Sequence, residues 1–95
     1  MKIEFDKPYK FEDKEYSEID LKIEDLTGRD LLGLGRQYAK ELGSKVQAVK
    51  ALDEEYHLII AEKVSGQPKE FFYNMPAPEF MKVSAQVMGF LMGAA

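Results

Sequence analysis

Ninety-five residues with a formal charge of −4, no cysteine and one histidine describe a small acidic chain. That length suits a single domain spanning residues 1–95 and leaves no room for separate catalytic and substrate domains. The lack of cysteine removes disulfides, thiolate chemistry and Cys-based metal sites, and no apolar run reaches the ~18–20 residues of a membrane span.

Charge is uneven along the chain. Residues 1–30 hold ten Asp/Glu against six Lys/Arg, whereas residues 31–95 hold seven of each. A protein that tracks phosphates carries an excess of Lys and Arg on one face. The unbalanced segment here is acidic, so nucleic acid is not an expected partner, and a solvated acidic face is the simple reading. The charged N-terminal stretch also lacks the pattern of a secretory leader, so cytoplasmic residence is expected.

In the opening run Ile3, Phe5, Tyr9 and Phe11 occupy odd positions among charged residues. This is the two-residue period of a half-buried strand, which Pro8 confines to a sheet edge or a bulge. Glu12–Glu15 form a polar connection. A second run follows, in which Ile19, Leu21 and Ile23 alternate with Glu18, Asp20 and Lys22, and the step from Tyr16 to Ile19 places a bulge near Ser17. The expectation is an antiparallel hairpin over about residues 2–23, which needs an apolar partner to be stable.

Thr27 and Asp30 have the spacing of a capping box, with Leu26 and Leu31 placed as a hydrophobic staple. They predict a first helix over 28–42 that turns Leu31, Leu34, Tyr38 and Leu42 to the core and ends at Gly43. Ser44 and Gln47 repeat the capping spacing. Val46, Val49, Leu52, Tyr56, Ile59, Ile60 and Val64 then recur at three- and four-residue steps, predicting one long helix over 45–65. Pro68 opens a short helix over 68–73. The prolines of Asn74–Pro78 interrupt it, and a last helix over 78–92 follows. The fold class is therefore α+β, a hairpin followed by a bundle of three to four helices.

The inventory for chemistry is thin. His57 lies near Asp53 and Glu54 at ligand-like spacings, but no third ligand is evident, and a solvated surface histidine is expected. One histidine and no cysteine assemble no nucleophile–base–orienter set. Gly33-Leu34-Gly35 lies inside a helical pattern and lacks the third glycine of a dinucleotide loop, so it marks a close helix approach or a tolerated weakness. Asp53-Glu54-Glu55 point in different directions on a helix and form a solvated face. No catalytic residue, cofactor or metal is expected.

The C-terminus is the anomaly. After Lys82 no charged residue occurs, and Met81, Val87, Met88, Phe90, Leu91 and Met92 widen one apolar stripe. Such a stripe either completes the core or serves partner binding or self-association, and methionine suits a surface that accepts several shapes. A homo-oligomer is an option that it leaves open.

The order of these elements resembles the tail assembly chaperones of contractile-tailed bacteriophages, the myophage type, over nearly the whole chain. The likeness is carried by the extended run turning through Asp13-Lys14-Glu15-Tyr16, by Ile19-Asp20-Leu21, and by the capped start at Leu26–Leu32. It continues in Leu58–Gly66 and in Glu79-Phe80-Met81-Lys82-Val83-Ser84 leading to Val87 and Phe90-Leu91. The segment Asn74–Pro78 is richer in proline than the usual connection, and Glu79 stands where Asp is common. The resemblance implies a phage or prophage protein that performs no chemistry. It would bind the tape measure protein, help tail tube protein polymerise around it, and be absent from the mature virion. The alternative is a small structural or adaptor protein of a phage tail or host complex, acting through helix-mediated contacts.

Overall fold

Alternation of apolar and charged side chains produces the hairpin. The computed structural model describes residues 1–93, and in it strands β1 (Lys2–Phe11) and β2 (Lys14–Asp20) pair antiparallel. Ile3, Phe5, Tyr9 and Ile19 form their buried face. The expected irregularity is present, with its extra residues in the first strand. Glu4 pairs with Glu18 and Tyr9 with Tyr16, so residues 5–8 of β1 face Ser17 alone. Pro8 has no N–H to contribute there, and the N–H of Asp6, freed from the ladder, donates to Glu79 Oε1 at 3.1 Å. The second strand stops at Asp20, short of the expected end. Leu21 and Ile23 still face the core, the latter from a single 3-10 turn over Ile23–Asp25.

Glu12 and Asp13 make the hairpin turn at φ 50° and 64°. Two successive positive φ angles are what a tight hairpin turn requires, and Asn-Gly meets that demand with least strain. The double substitution Glu12→Asn/Asp13→Gly should stabilise the protein by about 1 kcal/mol, seen as a thermal midpoint raised by roughly 4–8 °C. An unchanged or lower midpoint would contradict this account of the turn.

Helix α1 (Gly28–Leu42) starts as expected. Thr27 Oγ1 accepts from Asp30 N at 3.2 Å and Asp30 Oδ2 accepts from Thr27 N at 3.0 Å. The Thr27 N–H, donating to the Asp30 carboxylate, favours its ionised form and holds the Asp30 carboxyl below its ordinary value. Gly43, at φ 57°, ends the helix in a conformation that side-chain-bearing residues avoid.

The long helix expected over 45–65 is corrected. Helix α2 runs only from Glu54 to Ser65, and residues 43–53 form two 3-10 turns, Gly43–Lys45 and Lys50–Leu52, joined by an irregular stretch that bends at Ala48 and Val49. Asp53, not Ser44, is the N-cap, and its carboxylate accepts from Glu55 N at 3.0 Å. Tertiary partners hold the segment open. The Tyr38 hydroxyl accepts from Gln47 N at 2.8 Å and donates to the Asp53 carboxylate, and the Ala51 carbonyl is bound by His57. Burial, and then the bond to Asp53, push the Tyr38 phenol up from its ordinary value.

Helix α2 is the centre of the molecule. Tyr56 to Ala61 are buried without interruption, as is Val64, because α1, the short α3 (Lys69–Tyr73) and α4 (Ala77–Leu91) all pack on it. Its side chains join the hairpin face, Phe71, Phe72, Val83 and Val87 in one core. The expected solvated position of His57 is thus overturned: the ring is 2% exposed, since α2 has no polar face at that level. Helix α4 is also tied to the hairpin, where Lys82 Nζ donates to Asp6 Oδ1 at 2.8 Å and to the Glu4 carbonyl at 3.2 Å.

Candidate partner-binding surface

Helix α4 sorts the C-terminal stripe into two faces. Val87 is fully buried beside Val83 and is therefore a packing residue, which removes it from the accessible set. Phe90 and Leu91 are half-buried against the core. Met81, Met88 and Met92 lie on the opposite side with Ala85. Steps of four, three and four residues place these four side chains in one line, and all are exposed. Of the six residues that the sequence singles out, three form this outer methionine line, two are half-buried against the core and one is core.

A second apolar surface comes from the segment that is not helical. Val46, Val49 and Leu52 are 42%, 52% and 56% exposed, instead of lying on the buried stripe of a long helix. The segment runs alongside α1 and encloses with it a groove of about 880 Å³, floored by Leu31, Tyr38 and Tyr56 and reaching Leu91 of α4. Leu32, 64% exposed, stands on its α1 lip. Among the described residues, a Cβ at Gly33 would meet nothing within 4 Å, so the expected close helix approach is not seen there. Instead Lys50 Cε would lie 3.5 Å from a Cβ at Gly35, so the lysine stem crosses the groove there. Its ammonium sits 5.8 Å from the Tyr56 ring centroid. Sequence reasoning missed this groove because its walls read as core. The available signal was Asp53 followed by Glu54-Glu55, an N-cap with acids in the first helical turn.

His57 contributes structure to this region. Its Nε2 is 2.7 Å from the Ala51 carbonyl, which can only accept, so Nε2 carries the hydrogen and Nδ1 accepts from Ser84 Oγ at 2.6 Å. Both ring nitrogens are thereby engaged in pinning residues 50–52 to α2 and α4.

Helices wrapped on a hairpin leave apolar side chains uncovered on two surfaces. The chain belongs to the phage tail assembly chaperone family described as proteins E, or 41 or 14, which matches residues 2–92. No curated protein and no solved structure shows a significant match to the chain. Membership supports a role in phage tail assembly and a non-enzymatic mode of action. No described helix is long and apolar enough to cross a membrane.

Proposed function

We propose that this chain acts as a single domain that binds the tape measure protein reversibly and keeps it competent while tail tube subunits polymerise around it. It does so without catalysis, in the cytoplasm of the infected or lysogenic host, and it is left out of the finished particle. The observation that carries the reading is the exposure, between 37% and 64%, of Leu32, Val46, Val49, Leu52, Met81, Met88 and Met92 in a family of assembly chaperones. So much uncovered apolar side chain in a small protein marks a surface for another chain.

Co-expression with the tape measure protein of the same phage tests the reading. The tape measure protein should move from the insoluble to the soluble fraction when this chain is present, and equal insolubility with and without it would refute the role. Mass spectrometry of purified particles should find none of this chain, whereas stoichiometric amounts would make it a structural component. Met88→Asp adds a variant that leaves the core intact, because the side chain is on the outer line. It should fold with an unfolding midpoint like that of the native chain, yet retain less partner, since a carboxylate in an apolar contact costs several kcal/mol. Unchanged retention would exclude Met88 from the contact.

A further inference from the structure

The groove beside α1 differs in charge from the rest of the chain. Residues 28–52 carry five cations, Arg29, Arg36, Lys40, Lys45 and Lys50, against Asp30 and Glu41, whereas the whole chain has a charge of −4; the Asp53 carboxylate that follows is held by the hydroxyl of the groove-floor Tyr38. Glu41 is already paired with Lys69, and Asp30 is engaged in the Thr27 capping box. Among the described residues none of the five cations lies within 4.0 Å of a carboxylate oxygen. Arg29, Arg36 and Lys40 recur at seven and four residues, which sets them along the flank of α1 beside Leu32. Lys50 supplies a cation from the opposite wall, and it is the one charged side chain among the residues that line the groove.

We propose that this groove seats one amphipathic helix of the partner protein whose apolar stripe is bordered by Asp or Glu. The lining on α1 runs from Gly28 to Ala39, a length of about 16 Å at 1.5 Å per residue. Three helical turns of an occupant match it, with anchors at i, i+3 or i+4, and i+7 entering between α1 and residues 46–51. Arg29, Arg36 and Lys40 meet carboxylates on one border of that helix, and Lys50, its stem swung out of the groove from beside Gly35, meets one on the other. The cations select the partner and its orientation, and the apolar floor provides the affinity. This assignment rests on the binding role proposed above and adds where the partner docks and what chemistry it presents.

The probe is a synthetic peptide of about 18 residues with leucines at helical spacing and glutamates bordering them, compared with the same peptide carrying lysines for glutamates. Each is titrated into the full-length, isotope-labelled chain and followed by amide chemical shifts. The Glu peptide should perturb residues 28–39 and 46–51, bind at least about tenfold more tightly than the Lys peptide at low salt, and lose that advantage at high salt. Arg29→Glu/Arg36→Glu should reverse the preference without changing the unfolding midpoint. Equal binding of the two peptides, shifts confined to residues 81–92, or no binding with the chain sedimenting as a dimer would each overturn the proposal. The two readings fail separately. Tape measure rescue with no peptide preference sinks only the groove assignment, and peptide preference with no rescue sinks only the chaperone partner.

Discussion

Phe71→Ala is expected to lower the free energy of unfolding by about 3–5 kcal/mol, enough to unfold much of the population if total stability is at the lower end of the ~5–15 kcal/mol range. The Phe71 side chain is fully buried. Its ring meets those of Tyr9, Phe11, Tyr16 and Phe72 at centroid distances of 5.1, 5.3, 5.0 and 5.2 Å, all edge to face. Both strands of the hairpin therefore close on one side chain of a five-residue helix that is too short to be stable alone. The Tyr9 hydroxyl adds a 2.7 Å bond to the Phe71 carbonyl. Removing the ring opens a cavity where both strands of the hairpin meet α3. Urea unfolding measures the loss, with Tyr73→Ala as the neighbouring control, since Tyr73 is 57% exposed and should change stability by less than about 0.5 kcal/mol. A Phe71→Ala midpoint close to the native one would contradict this view of the core.

His57→Ala should cost nearly as much, about 3–5 kcal/mol. The substitution strips the Ala51 carbonyl and the Ser84 hydroxyl of their partner inside the protein and leaves a void against α4. Ser84→Ala removes only one end of the bridge and should cost about 1–3 kcal/mol, chiefly by leaving Nδ1 without its donor. The two losses should not add, because the residues share a bond. A histidine on a solvated helix face would instead change stability by within about 0.5 kcal/mol, so the same urea series decides between the two placements.

The difference between what was legible and what was not follows from where the deciding interactions lie. The hairpin and the start of α1 are local matters. Odd-position apolar residues from Ile3 to Phe11 and the Thr27–Asp30 box act within a few residues of themselves, and the chain announces them directly. The beginning of α2 is decided at a distance. Ser44 and Gln47 imitate a capping box, and Val46, Val49 and Leu52 keep the helical step. The backbone is nevertheless held open by Tyr38 from α1 and by His57 from α2. Nothing within residues 43–53 alone reveals those bonds.

The same mistake hid the groove, since a residue assigned to the buried stripe of a helix is not sought on the surface. The methionine line of α4 was easier to read, because the absence of charge after Lys82 is visible in the chain itself. Its division into the core residue Val87 and the exposed Met81, Met88 and Met92 required the packing partners of α4, chiefly α2 and the first strand.

The proposed function rests on apolar side chains that the fold leaves exposed. The most direct measurement is the soluble fraction of co-expressed tape measure protein with the native chain, with Val46→Asp/Val49→Asp, and with no chain at all. Both valines are exposed, so the variant should keep the native unfolding midpoint while failing to solubilise its partner. A soluble fraction near that of the empty control for the folded variant, and well above it for the native chain, is the expected result. Rescue by the variant equal to that by the native chain would show that this surface does not hold the partner.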